Sequence, residues 1–327
     1  MNKKLALSTC ALAALTLLAA CGGSDDDDGD NSSAAGWQTD AAGHVTLQFA
    51  AYNGNTAIDC NSQLTLGTQQ RAVKMWDFRF YISNVNLLKE DGTKVRLTLA
   101  NPADDNNYDD GTHAVSLLDF EVEGTGLCDG SVPTNTTITG TVTPGRYVGA
   151  EMTLGVPFEL NHLDATATTT PAVLQSAVHP GMAWNWRGGR KFTNIEFDQD
   201  SSVDTTQWDS VAEGKLGYVL LHLGSTGCVG DPANGTPISS CTASNRVPVT
   251  LDSFDPSTQV VAFDAGALFN YDIASATEGD RGCMSSATDP ACAKPFEALA
   301  LDWKVDGTGT GLPLDGQSQV VLKAMSR

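Results

Sequence analysis

The sequence predicts an all-β protein, an antiparallel β-sandwich whose long loops are stapled by disulfides. Short segments that alternate apolar and polar residues recur along the chain, and turns rich in Gly, Asn, Asp and Pro separate them. At 327 residues and 41% hydrophobic, the chain is long and apolar enough to bury a core. Its formal net charge of -20 excludes a protein that binds nucleic acid through the phosphates.

The N-terminus, residues 1–20, is predicted to be a lipoprotein signal peptide. Lys3 and Lys4 precede a short apolar run, and Leu18-Ala19-Ala20-Cys21 resembles the bacterial lipobox, in which Cys21 is acylated. Gly22 follows that cysteine, a residue typical of sorting to the outer membrane. We therefore expect an outer-membrane lipoprotein that faces the periplasm or the cell surface and is held by its lipid anchor.

Residues 21–36 are predicted to be a flexible, acidic tether, because they combine Asp25 to Asp28 with serines and glycines. No similar break occurs further along the chain. The sequence therefore predicts a single domain over residues 37–327.

Strands are predicted in order wherever the apolar alternation is clear. They fall at 44–49, 78–87, 95–99, 136–142, 148–154, 192–197, 218–223, 247–251, 260–263, 301–305 and 319–322. Residues 264–271 are the only predicted short helix. Two long segments, 157–191 and 224–246, show little strand pattern, and long loops on a rigid sheet are where function tends to lie.

Six cysteines remain in the body of the chain once Cys10 and Cys21 are set aside. An exported chain favours disulfides over a thiolate metal site, and no C-x-x-C motif is present. Sequence proximity suggests the pairs Cys228 with Cys241 and Cys283 with Cys292, and Cys60 and Cys128 remain as the third pair, although six cysteines allow fifteen connectivities.

Three of the five histidines, His162, His179 and His222, lie within or beside the two irregular segments. Asp164 stands two residues after His162, where a carboxylate can orient an imidazole that binds a metal. His222 lies at the end of a predicted strand. Each histidine on its own could equally be a core residue bonded to a carbonyl.

The segment from His179 to Phe192 contains a second unusual cluster. In an extended chain Met182, Trp184 and Trp186 share one face. The stripe could belong to a sandwich core, but it stands among Gly, Asn and Arg instead of aliphatic residues. Thioether sulfur and imidazole are ligands that suit copper.

Other reaction classes lack their motifs in this sequence. G-x-S-x-G, H-E-x-x-H and C-x-x-C-H are all missing, which argues against an α/β-hydrolase, a zincin and a covalent haem site. The acids between Asn101 and Gly111 are expected to form a solvated loop.

Six motifs in order resemble the MbnP-like copper-binding family, also called metallo-mystery pair four-Cys motif proteins, over nearly all of residues 44–325. They are FRFYISNV at 78, SLLDF at 116, GVPFELNH at 155, MAWNW at 182, HLGSTGC at 222 and GCM at 282. The resemblance makes Cys228, Cys241, Cys283 and Cys292 the four family cysteines. Arg190 departs from the pattern, which has an aromatic residue after the glycine.

The resemblance implies an exported, non-enzymatic β-sandwich protein that binds copper as its cofactor. Its partner would be a di-haem enzyme of the MauG/cytochrome c peroxidase type, which oxidises a tryptophan of the chain to kynurenine. On this basis Trp184 or Trp186 is the modified residue, and His222 and His162 are the expected copper ligands. Met182 and His179 are the next choices.

Two other functions remain open from the sequence. A surface adhesion or carbohydrate-binding module of sandwich type would stack its tryptophans on sugar rings. An exported hydrolase with an unrecognised site is the other alternative.

Overall fold

Strands dominate the computed structural model, which describes residues 36–122, 128, 134–184, 189–199, 218–273 and 282–327. These residues lie in one unit, Ala35–Arg327. In chain order the strands are β1 (Trp37–Gln38), β2 (His44–Asn53), β3 (Thr56–Ala57), β4 (Leu64–Leu66), β5 (Arg71–Leu88), β6 (Lys94–Arg96), β7 (Thr98–Leu99), β8 (Asn107–Asp109), β9 (Ala114–Asp119), β10 (Thr137–Thr141), β11 (Arg146–Tyr147), β12 (Gly149–Leu154), β13 (Thr193–Gln199), β14 (Tyr218–Leu223), β15 (Thr226–Asp231), β16 (Thr236–Ala243), β17 (Val247–Leu251), β18 (Gln259–Asp264), β19 (Gly282–Cys283) and β20 (Leu322–Ser326).

Helices in the described part of the chain are short. They are α1 (Phe158–Asn161), α2 (Ala265–Leu268) and α3 (Ala293–Ala298), with 3-10 turns at Ala172–Leu174, Pro232–Asn234 and Pro290–Cys292. The predicted helix at 264–271 is confirmed in part: Asp264 caps α2 by accepting a hydrogen bond from the backbone N–H of Ala267. None of the described helices combines the length and the apolar character that crossing a membrane requires.

Two large sheets carry the fold. The first runs β17-β12-β5-β13-β14-β19, with β4, β6, β8 and β9 attached beside this path, and the second runs β20-β18-β2-β10-β7, with β3 attached to β2. Neighbouring strands are antiparallel except for β14 with β19 and β18 with β2. The predicted all-β, antiparallel-rich class is therefore confirmed.

Phenylalanines join the two sheets in the core. Phe78 and Phe80 of β5 pack against Phe263 of β18, with ring centroids 5.2 and 4.8 Å apart. Phe49 of β2 contacts Phe80 as well, at 6.3 Å. Because side chains alternate along a strand, Arg79 and Tyr81 of β5 point to the opposite face of the first sheet. The loops of residues 157–182 cover that face, where the Tyr81 hydroxyl donates to the carbonyl of Val173 at 2.9 Å.

Three disulfides join Cys60 to Cys128, Cys228 to Cys241 and Cys283 to Cys292. These are the pairs that the sequence analysis suggests. The first ties the segment between β3 and β4 to the segment after β9, the second joins β15 to β16, and the third joins β19 to the 3-10 turn at Pro290–Cys292.

Three of the sequence expectations are wrong in detail. Residues 224–246 are not irregular, because β15 and β16 form a hairpin there. Residues 301–305 form no strand, since their one bridge pairs Leu301 with Pro313, which has no N–H to extend a ladder. The last strand begins at Leu322 instead of ending there, because the Gln319 side chain accepts the backbone N–H groups of Val321 and Leu322.

Candidate functional site

A row of polar side chains crosses four strands on the outer face of the first sheet. The register pairs Asp119 with Arg79, Arg79 with Asn194, and Asn194 with His222. Residues directly opposite each other share a face, so these four side chains lie next to one another. All four are buried. The pairing of β9, β5, β13 and β14 therefore assembles a buried polar row that no single segment contains.

The guanidinium of Arg79 is the centre of this row. Its Nε lies 3.0 Å from Oδ1 of Asp77 and 3.3 Å from Oε2 of Glu121, and its Nη1 donates to the carbonyl of Pro180 at 3.0 Å. Burial by itself would lower the pKa of Arg79, but the hydrogen bond and charge of Asp77, with the charge of Glu121, raise it. Arg79 is thus a permanent buried cation that ties the loop at 180 to the sheet.

Two buried carboxyl groups beside Arg79 hold protons more tightly than usual. Burial raises the pKa of Glu121 to about 9, helped by the charge of Asp77, and burial raises the pKa of Asp119 to about 6. Glu121 is therefore protonated at neutral pH.

We expect Glu121 to make stability fall with rising pH. Its folded-state pKa lies above the unfolded value, so its stabilising contribution is complete at low pH and is lost as the pH rises through about 9. The Glu121→Gln variant stays neutral, so between pH 7 and 9 its free energy of unfolding should fall less steeply, by up to about 1 kcal/mol per pH unit. Urea denaturation at several pH values measures this, and equal slopes for the two proteins would contradict it.

His222 is paired with a carboxylate. Its Nε2 lies 2.7 Å from Oε1 of Glu196, which lies on β13 two residue pairs further along the ladder and therefore on the same face. Burial lowers the pKa of His222, against the opposing effect of Glu196. Burial would raise the pKa of Glu196, but the hydrogen bond and charge of His222, with the charge of Lys191, lower it. A neutral imidazole held by a carboxylate is the usual arrangement of a histidine that binds a metal through its other nitrogen.

Trp184 lies beside His222, with the two ring centroids 6.0 Å apart. The Nζ of Lys191 is 5.7 Å from the indole centroid and 2.9 Å from Oδ1 of Asn194, which connects the tryptophan to the polar row. Burial lowers the pKa of Lys191. On the other side of the indole, a Cβ at Gly224 would come within 2.8 Å of Trp184 Nε1, so only glycine lets the backbone after β14 approach the ring this closely.

His162 follows α1 and reaches the same region from another loop. Its Nε2 lies 3.2 Å from Nδ2 of Asn161 and 3.4 Å from Sγ of Cys241. A Cβ at Gly189 would lie 3.4 Å from His162 Cε1, and the carbonyl of Gly189 accepts the backbone N–H of Trp184 at 2.9 Å. His162 and Trp184 therefore flank the same short stretch of backbone.

Arg190 holds the loop that carries His162. Its side chain is 1% exposed and donates to the carbonyls of Asn161 at 2.8 Å, Leu174 at 2.7 Å and Leu163. Its backbone N–H donates to Oδ1 of Asn161 at 2.8 Å. An aromatic residue could not satisfy these carbonyls, so the departure from the family pattern changes how this loop is packed.

His179 and Met182 are both buried and contact parts of the fold outside the candidate site. The side chain of Met182 is part of the hydrophobic core cluster. The Nε2 of His179 is hydrogen-bonded to the carbonyl of Asp105, its Nδ1 is buried without a partner among the described residues, and burial lowers its pKa. Within the described residues, the contacts of His179 and Met182 do not include His222.

Asp164 accepts hydrogen bonds at 2.8 Å from the backbone N–H and the hydroxyl of Thr166. Its role beside His162 stays a prediction, while Glu196 is the carboxylate that contacts the candidate ligand His222. Trp186 and Cys21 lie outside the described residues, so the structure does not place the second tryptophan or the lipidated cysteine.

Sequence reasoning missed Glu196, Arg79 and Lys191. The sequence did contain a signal for Glu196. Asn194 and Glu196 are two residues apart in the strand predicted at 192–197, so their polar side chains had to share a face. Arg79 gave a similar signal inside an otherwise apolar strand. Their convergence on His222 depends on the strand order, which the alternation does not reveal.

Comparison with known proteins identifies proteins that are similar to this chain. The sequence model of the MbnP family matches residues 42–285. Among solved structures, MbnP from Methylosinus trichosporium is similar at 30% identity and a TM-score of 0.70, over 86% of this chain and 98% of that chain. A search of curated proteins finds no match.

Proposed function

Because the chain belongs to the MbnP family, we propose that it is a copper-binding protein whose site is completed by an oxidised tryptophan. His222 and His162 are its imidazole ligands in this proposal. The family places the chain in a copper-related context, and the donors at hand agree with it: imidazole suits copper, and His222 already has the supporting carboxylate that a ligand histidine needs.

The position of Trp184 carries the proposal. Its indole packs against His222 and flanks the same backbone as His162. Oxidation to kynurenine opens the five-membered ring of the indole into an aryl amine and a ketone, which adds nitrogen and oxygen donors where an imidazole already lies. We therefore propose Trp184, ahead of Trp186, as the residue that is modified.

The partner in this proposal is a di-haem enzyme of the MauG/cytochrome c peroxidase type. Trp184 is partly buried, with Lys191 and Gly224 against its ring. Such a ring does not enter another protein's haem pocket without unfolding its surroundings, so oxidation would proceed by electron transfer through the protein surface. The chain is then the substrate of its partner and a binding protein, not an enzyme.

The chain is further proposed to act as a lipoprotein of the bacterial outer membrane, anchored through Cys21. The lipobox-like N-terminus supports this location. Three disulfides are in keeping with an oxidising compartment.

Intact-mass analysis tests the modification. Protein produced with its di-haem partner should be about 4 Da heavier than protein produced alone, since kynurenine formation gains one oxygen and loses one carbon. The Trp184→Phe variant should lose this mass gain and the copper, whereas Trp186→Phe should keep both. A mass gain that survives in Trp184→Phe would overturn the assignment, and a sugar-binding signal that persists after metal removal would favour a carbohydrate-binding module.

A further inference from the structure

The hairpin of β15 and β16 brings a disulfide against His162. Cys228 and Cys241 are directly opposite each other in this hairpin and are bonded. The Nε2 of His162 lies 3.4 Å from Sγ of Cys241. The hairpin thus places its two sulfur atoms beside the imidazole nitrogen of His162, at the edge of the site.

This disulfide is more accessible than the other two. Cys283 and Cys292 are fully buried, and Cys60 and Cys128 are 2% and 5% exposed. Cys228 and Cys241 are both partly exposed, on a hairpin whose other residues are mostly exposed. Accessible disulfides are the ones that a reductant reaches first. A mild reductant should therefore open Cys228–Cys241 before it opens the others.

The three donor atoms have the spacing of a metal site. The Nε2 of His162 and the sulfurs of Cys228 and Cys241 all lie within 4.8 Å of one another. Around a metal with three ligands, a sulfur and a nitrogen ligand are separated by about 3.7 Å, which is close to the present 3.4 Å between Sγ of Cys241 and Nε2 of His162. Only the two sulfurs need to move apart once their bond is broken.

We propose that reduction of Cys228–Cys241 creates a second metal site, made of two thiolates and His162, for a soft cation such as Cu(I). The disulfide takes two electrons and two protons from a dithiol, which itself becomes a disulfide. The metal then displaces protons from the new thiols and binds the thiolates. Thiolate sulfur is the preferred ligand of Cu(I), and a lone imidazole completes a three-ligand site.

The reduced site draws on a residue that the proposed copper site also uses, and this consequence rests on the proposed function. His162 binds the thiolate-held metal when the disulfide is open and is released when it closes. Reduction of the hairpin would therefore withdraw one ligand from the site at Trp184 and His222. This gives the chain a redox-controlled means of weakening the copper site at Trp184 and His222 while a further Cu(I) binds at the hairpin.

Cu(I) titration before and after reduction tests the proposal. The full protein is treated anaerobically with a phosphine reductant, which is oxidised to the phosphine oxide with oxygen from water and is removed before any metal is added. After desalting, thiol counting should find two additional thiols. The reduced protein should then bind one additional Cu(I), with the ultraviolet absorption of a thiolate–Cu(I) bond.

Variants separate this site from the one at Trp184. The Cys228→Ser/Cys241→Ser variant should gain no additional Cu(I), and His162→Ala should weaken the additional Cu(I) by roughly tenfold or more. Trp184→Phe should still bind the additional Cu(I) after reduction. The titration therefore tests the hairpin site even if copper does not bind at Trp184 and His222. The proposal is overturned if reduction adds no Cu(I), if the double serine variant still gains it, or if His162→Ala binds it as tightly as the parent.

Discussion

Replacing His222 with alanine should reduce the affinity for copper by at least about a hundredfold while the protein remains folded. In the proposed site His222 supplies one of the two imidazole ligands, and the carboxylate of Glu196 is hydrogen-bonded to its ring and orients it. The loss also leaves a partly buried carboxylate without this partner, so the apo protein should be less stable by about 1 kcal/mol. Copper competition titrations give the affinity, and urea denaturation gives the stability.

The matched control is Glu196→Gln, which keeps the shape of the pair and removes its charge. A carboxylate that orients a ligand histidine typically contributes 10–100-fold to metal affinity, so this variant should fall roughly between the parent and His222→Ala. If His222→Ala fails to fold, His222 is a core residue. If it folds and binds copper as the parent does, His222 is not a ligand.

Replacing Arg190 with methionine should cause the largest loss of stability among the changes considered, about 3 kcal/mol or more. The guanidinium is buried and satisfies three backbone carbonyls, which have no access to water once it is removed. Burial lowers the pKa of Arg190, against the weaker opposing charges of Tyr81 and Asp164. Urea denaturation of the apo protein measures the loss.

The same variant tests how His162 is positioned. Two of the three carbonyls that Arg190 holds belong to Asn161 and Leu163, on either side of His162, so copper affinity should fall together with stability. Arg190→Lys should recover only part of both, because an ammonium lacks the planar fork that reaches several carbonyls. Lys94→Met, which removes an exposed ion pair with Glu151, is the control and should change stability by less than about 1 kcal/mol. If Arg190→Met and Lys94→Met lowered the free energy of unfolding equally, Arg190 would not be holding the loop that carries His162.

Much of the sheet structure could be predicted from local patterns. The strands at 218–223 and 247–251 have the predicted bounds, whereas β5 begins at Arg71, before the predicted 78–87. Alternation works here because each strand packs one apolar face into the core between the sheets. It fails at 301–305, where the pattern is present but Leu301 makes only an isolated bridge to Pro313.

The site could be predicted only in part. His222, His162 and Trp184 were identified through motifs, and the structure brings Trp184 into contact with His222. Asp164, chosen for its closeness in sequence to His162, bonds to Thr166, and its role beside His162 stays a prediction. The carboxylate in contact with His222 comes from Glu196, which lies on the neighbouring strand, 26 residues from His222 in sequence.

The sequence by itself determined the all-β class, the position of most strands and the family, because these depend on local periodicity and ordered motifs. It suggested the three cysteine pairs but left fifteen connectivities open, and the structure decided among them. Tertiary structure decided which polar residues meet. The row from Asp119 through Arg79 and Asn194 to His222 exists only because four strands pair in one particular order and register. Residues far apart in sequence become neighbours through backbone pairing, and side-chain alternation is the same for any order of strands.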